Sequence, residues 1–240
     1  MKLKIHGMYL DDRDLQLFRY LHAVKVATYG QIHRDIYTSI GLDSVGGRIR
    51  KLEDNRLLEA GRSRLLLNGA RTVSLTRRAF DNFVKKGEEI QIELKSDAIQ
   101  HDLVLVDIRH RFSLFQRTLD YQTENQIQTW DLKNRSLNCD AMMLFQLRST
   151  PIQIPIEYEA SLKKEDRYEP FLKKYYQNSE FPLILLLADT QLILDKIVKL
   201  EKELFNWDKP KFFYQLKQNF FKNEVCHFEN GNQSTLTFSE

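Results

Sequence analysis

The chain has 240 residues, of which 42% are hydrophobic and 29% charged, with 15 Phe and 10 Tyr. That is enough apolar material for one large domain or two small ones, and it excludes a disordered chain, which would lack the aromatics. The longest apolar run, residues 182–188, is far short of the ~20 residues that span a bilayer. Residues 1–10 have no apolar core with a cleavage site, and Cys139 and Cys226 make no disulfide framework. No membrane association and a reduced cytoplasmic setting are expected.

The net charge of +3 hides an asymmetry. Residues 1–87 carry 17 Lys+Arg against 9 Asp+Glu, and the remainder 19 against 24. A basic segment joined to an acidic one points to a polyanion as partner of the first. In chain order, Asp11 to Val24 has Leu15, Phe18, Leu21 and His22 at helical spacing, with acids where a helix dipole favours them. Thr28 is placed to cap a second helix through Tyr37, and Ser44 a third in which Val45, Ile49 and Leu52 make the buried stripe. Arg48, Arg50 and Lys51 lie off that stripe. Gly46-Gly47 leaves little bulk, at a cost in helix stability that is tolerable where backbone must approach another surface.

Asn68-Gly69, between a run from Leu57 and one starting at Arg71, is a strong hairpin signal. Thr76 then caps a helix running to Gly87. Helix, helix, helix, basic hairpin, helix is the winged helix-turn-helix order. The stretch from Ser44 to Glu59 resembles the recognition helix of bacterial winged-helix repressors, except that Arg56 stands where those have Gly. Asn55 is then expected to take the left-handed turn. The third helix would enter the major groove of double-stranded DNA with Ser44, Arg48, Arg50 and Lys51, and Arg62, Arg64 and Arg71 of the hairpin would grip flanking phosphates.

Residues 88–98 read as a connector and 99–229 as a second domain. It begins with a helix from Ile99 to Phe115 and a strand region from Thr118 to Trp130. Strands over 141–147 and 151–159 follow, then a helix from Ser161 to Gln177 interrupted or started afresh at Pro170. A strand to Ala188, a helix from Thr190 to Phe205 and a last strand over 211–216 complete it. Residues 230–240 form a tail, frayed or at an edge. The fold class expected is therefore α+β, a winged helix followed by a small mixed α/β sheet.

Asp140 at a strand start, and Glu157 with Glu159 on the next strand, would repel unless a cation sat between them. Oxygen-rich sites of this kind suit Mg²⁺, which can activate a water against a phosphodiester. Asp140 and Glu157 are the candidate metal ligands. This layout resembles the PD-(D/E)xK nuclease superfamily with its restriction-endonuclease-like fold, in which Glu159 stands where the pattern has Lys; Lys163 or Lys164 could supply a displaced charge. Acidic residues on a solvated strand face are the plainer reading.

The order of winged helix, His101-Asp102-Leu103, Leu137-Asn-Cys-Asp140, Ile156-Glu-Tyr-Glu159 and Lys173-Lys-Tyr-Tyr176 resembles the plasmid replication-relaxation family. That resemblance implies a DNA-binding protein of a mobile element, acting in replication, mobilisation or transcription control, with a nuclease-like second domain. The reading adopted is a DNA-binding protein that needs no cofactor for binding, a homodimer, with a non-catalytic second domain. The alternatives are a Mg²⁺-dependent nuclease or nickase using Asp140, Glu157, Glu159 and Lys163, and a protein that recruits replication or mobilisation proteins through a helical stripe of Leu192, Ile193, Ile197 and Leu200.

Overall fold

The computed structural model describes residues 3–5, 8–62, 70–85, 93–130, 137–205 and 209–239. The fold is α+β, N-terminal helices followed by a mixed β-sheet domain. It divides into two compact units, Met1–His110 with Asn125–Arg135, and Arg111–Glu124 with Ser136–Glu240. Among the described residues no helix is long and apolar enough to cross a membrane.

The first unit opens with an antiparallel pair, β1 (Leu3–Ile5) and β2 (Met8–Leu10). Then come α1 (Asp12–Val24), β3 (Ala27–Thr28), α2 (Tyr29–Asp35), α3 (Leu42–Asp54), β4 (Leu58–Arg62), β5 (Arg71–Leu75) and α4 (Arg77–Phe83). Asp11 and Asp14 form a reciprocal capping box at the start of α1, and Thr28 and Gln31 another at α2. Strands β3, β5 and β4 make a three-stranded antiparallel sheet with β5 central. Leu17, Phe18 and Leu21 pack with Ile32, Val45, Ile49, Leu52, Val73 and Phe80 in one core.

Several boundaries differ from the sequence expectation. Helix α2 stops at Asp35, and α3 begins at Leu42 with extended Gly41 before it, so Ser44 sits inside the first turn. At the end of α3 Arg56, not Asn55, takes the left-handed conformation, at φ 56°. The Leu57 N–H reaches back to the Leu52 carbonyl at 2.9 Å, and Thr76 Oγ1 donates to the Arg56 and Leu57 carbonyls, which holds that turn. Helix α4 ends at Phe83. Residues 63–69, with Arg64 and the Asn68-Gly69 turn, lie outside the described residues.

The charge asymmetry places a boundary near residue 87, whereas the first compact unit runs through α5 (Ile99–Leu114) as far as His110. Packing explains the difference. Gln31 Nε2 donates to the Leu103 carbonyl at 2.9 Å, Arg34 meets Asp107 at 2.7 Å, and His110 meets Asp35 at 2.8 Å. Val106 belongs to the first unit's core.

The second unit is a seven-stranded mixed sheet. In chain order it holds β6 (Thr118–Thr123), β7 (Ala141–Leu147), β8 (Thr150–Glu159), α7 (Glu165–Gln177), β9 (Ile184–Ala188) and α8 (Gln191–Phe205), then β10 (Phe212–Leu216), α9 (Lys217–Lys222), β11 (Cys226–Asn230) and β12 (Thr235–Phe238). The spatial order is β12-β11-β10-β9-β8-β7-β6, with β8, β9 and β10 parallel and the rest antiparallel. Parallel neighbours need crossover helices, which α7 and α8 supply. The expected strand region over 118–130 ends at Thr123, where the Glu124 N–H turns to the Asp140 carbonyl; Glu124–Trp130 forms α6, in keeping with its Glu and Gln content. Pro170 does not interrupt α7, because it lies on the exposed face, where the carbonyl it leaves unbonded can take water.

Phe112, Phe115, Phe220, Phe228 and Phe238 form a continuous aromatic cluster beneath the sheet. The tail contributes β12, an edge strand whose Phe238 is buried. On α8 the buried residues are Ile193, Leu194, Ile197 and Glu201, while Leu192 is exposed. Cys139 and Cys226 are buried free thiols. The left-handed Arg56 gives the fold a direct test: Arg56→Gly removes the Cβ penalty there and raises the unfolding free energy by up to about 1 kcal/mol, read from denaturant melts.

Candidate functional site

Two places carry the residues singled out from sequence, one in each unit. On α3, Val45, Ile49 and Leu52 are buried, and Ser44, Gly47, Arg50 and Lys51 are exposed. Gly47 has an ordinary helical neighbourhood, and a Cβ built on it meets nothing within 4 Å. Neither packing nor backbone conformation therefore calls for glycine at this position, which costs a helix interior about 1 kcal/mol relative to alanine. Arg71 is exposed at the start of β5, paired in register with Arg62 at the end of β4.

Arg48 does something else. Its guanidinium turns inward, Nε donating to Asp14 Oδ1 at 2.8 Å and Nη2 to Asp14 Oδ2 and to the Tyr9 carbonyl. The Asp14 side chain has no exposure and also accepts from the Tyr37 hydroxyl at 3.0 Å and the Asp11 N–H at 2.8 Å. A bidentate arginine on a fully buried carboxylate is a structural tie between α3 and α1. The exposed cations of α3 are Arg50 and Lys51.

In the second unit the register Ala141↔Ile156 brings Asp140, just before β7, beside Glu157 at the far end of β8. The three carboxylates do share one end of the sheet, and each has a protein partner. Asp140 Oδ2 accepts the Tyr158 N–H at 2.7 Å. Glu157 is buried and accepts the Tyr175 hydroxyl. Glu159 meets Lys163 Nζ at 2.6 Å, so the lysine singled out from sequence does reach the acidic edge. Glu157 and Glu159 are buried because β8 is an interior strand, its neighbours β7 and β9 on either side.

Burial, with the nearby Asp140 charge added to it, holds the Glu157 carboxyl well above the usual range, against the opposing pull of the Tyr175 hydroxyl and Lys174. Burial likewise pushes the Cys139 thiol up, reinforced by Glu157 and Asp140, so it stays a thiol. Among the described residues no group of three or more His, Cys, Asp or Glu side chains is placed to hold a metal ion. Mg²⁺ demands near-octahedral oxygen ligation. A buried carboxyl engaged by tyrosine, a carboxylate closed on lysine and one capping a backbone N–H do not make that donor set.

Sequence reading missed Tyr175, the hydroxyl that reaches Glu157; it singled out the neighbouring Tyr176, which serves Glu201. It also missed a pair at the ends of β9 and β10, where Asp189 meets Lys217 at 2.5 Å and accepts the Tyr158 hydroxyl at 2.6 Å. His101, in the first turn of α5, contacts Asp102 at 3.2 Å. Comparison with protein-family models, with curated proteins and with solved structures finds no match to this chain.

The raised Glu157 carboxyl has a consequence for stability. A carboxyl whose folded-state affinity for protons exceeds the unfolded one costs stability as pH rises above its ordinary value of 4.5. Glu157→Gln keeps an oxygen for Tyr175 and removes that ionisation. Its melting temperature rises relative to the parent at pH 8 and gains much less at pH 4, measured by thermal melts across that range.

Proposed function

We propose that the first unit is a winged helix-turn-helix that binds double-stranded DNA through the exposed face of α3, and that the second unit is a restriction-endonuclease-like domain that does not cut. The observation that carries the first part is the exposed surface of Ser44, Gly47, Arg50 and Lys51. It combines two exposed cations with a glycine whose Cβ position meets no described atom within 4 Å. A helix laid in the major groove brings its backbone near base edges and phosphates, and a side chain at Gly47 would hold it off. The helix, short strand, two helices, strand pair and helix of this unit support the same reading, as does its excess of basic residues.

For the second unit, the support is the partnering of Asp140, Glu157 and Glu159 described above. A Mg²⁺-dependent nuclease or nickase is the second reading, favoured by one observation: the Lys163 ammonium on Glu159 puts a cation at the acidic edge. A role in the replication, mobilisation or transcription control of a mobile element is what the replication-relaxation resemblance adds. A homodimer on paired half-sites is the default for a reader of this class.

The test is a gel shift and a supercoiled-plasmid nicking assay run together, with EDTA, Mg²⁺ or Mn²⁺, for the parent protein and Asp140→Ala. A salt-sensitive shift without nicking is expected; metal-dependent nicking lost in Asp140→Ala establishes the second reading instead. On α3 the variants separate structure from contact. Arg48→Ala leaves the Asp14 carboxylate buried and uncompensated and lowers stability by about 3–5 kcal/mol. Arg50→Ala and Lys51→Ala melt like the parent, bind more weakly and each lower the salt slope by about one. Gly47→Ala melts higher, by about 1 kcal/mol of unfolding free energy, yet binds duplex at least tenfold more weakly.

A further inference from the structure

We infer that strand β2 is a second DNA-contacting element, in which the Tyr9 hydroxyl donates to a phosphate beside the groove that α3 enters. The inference rests on the DNA-binding reading above and adds a contact outside both α3 and the β4–β5 pair.

Residues 1–10 include Lys2 and Lys4 and no acidic residue. Strand β2 has a fixed place in the first unit: Arg48 Nη2 donates to the Tyr9 carbonyl at 2.8 Å, and Asn55 Nδ2 approaches Met8 Sδ at 3.8 Å. Arg48 and Asn55 lie seven residues apart, on one flank of α3. At 3.6 residues per turn the next strip around the helix carries Ser44 and Lys51, and the one beyond it Gly47 and Asp54. Strand β2 therefore borders the exposed surface of α3 on the Ser44–Lys51 side.

Leu10 of β2 is buried in the core, whereas Tyr9 is 55% exposed, the most exposed aromatic among the described residues of this unit. Tyr9, exposed on a strand anchored by its own carbonyl, stands at the rim of a surface that already carries Arg50 and Lys51. Tyrosine hydroxyls are common donors to DNA phosphates, and such contacts set the register of the protein on the duplex. The Arg48 tie thereby acquires a second consequence: the guanidinium that fixes α3 to α1 also fixes the strand that carries Tyr9.

The experiment measures duplex affinity of the full chain against salt concentration, using a labelled duplex from the DNA upstream of its own gene. The variants are Tyr9→Phe, Tyr9→Ala and Lys51→Gln, each checked by thermal melting. Both Tyr9 variants are expected to melt like the parent and bind about tenfold more weakly, the loss of one hydrogen bond to a charged acceptor. Their salt slope stays that of the parent, because a neutral donor releases no counterion, while Lys51→Gln lowers it by about one. Parent-like affinity in Tyr9→Phe overturns the inference and leaves the DNA-binding reading standing. A parent protein that binds no duplex, at low salt included, overturns that reading and the inference with it.

Discussion

Asp14 is the residue on which the first unit turns. One carboxylate, closed off from water, completes the capping box of α1, accepts the Tyr37 hydroxyl and takes both arms of the Arg48 guanidinium. It thereby joins the start of α1, the segment after α2 and the middle of α3, three places that the chain brings together only on folding. Desolvating such a pair is costly, and it is compensated only when the remaining lone pairs are filled, as they are here. The arrangement fixes the angle and depth of α3, and through the Tyr9 carbonyl it fixes β2 as well.

The second unit handles its acids in a related way, with tyrosine in place of arginine. Glu157 takes the Tyr175 hydroxyl, and Glu201, which has no exposure, takes hydroxyls from Tyr176 and Tyr214 at 2.6 and 2.7 Å. Burial raises both carboxyls. Neighbouring tyrosines of α7 thus serve two different acids, one on β8 and one on α8, and tie the helix to each. A phenol donates a hydrogen bond without bringing a charge into the interior, so an acid held this way keeps its proton more readily than one paired with a cation.

Local signals were legible where the physics is local. The capping residues Thr28 and Thr76, the stripe of Val45, Ile49 and Leu52, and the apolar strand ending at Ala188 follow from spacing and side-chain chemistry within a few residues. The pairing of Asp140 with Glu157 across one end of the sheet was legible too, since alternation and a short turn set that register. Less legible were the ends of elements. Glu124–Trp130 was expected as strand and forms α6, and Arg56 adopts the left-handed turn that Asn55 was expected to take, because Thr76, at the start of α4, closes that turn.

By itself the sequence determined the α+β class, the order of most elements, the concentration of positive charge in the first 87 residues and the acids that meet at one end of the second sheet. Those properties depend on composition and on contacts between near neighbours in the chain. Only the tertiary structure decided what each charged side chain does. Arg48 and Arg50 are two residues apart and alike in sequence, yet one is spent on a buried acid 34 positions away and the other faces water. The same holds for Tyr175 and Tyr176, and for α5, whose first turns belong to the basic unit despite following its charge boundary. A side chain's partner is set by which elements pack against it, and that is a long-range fact that no short window of residues contains.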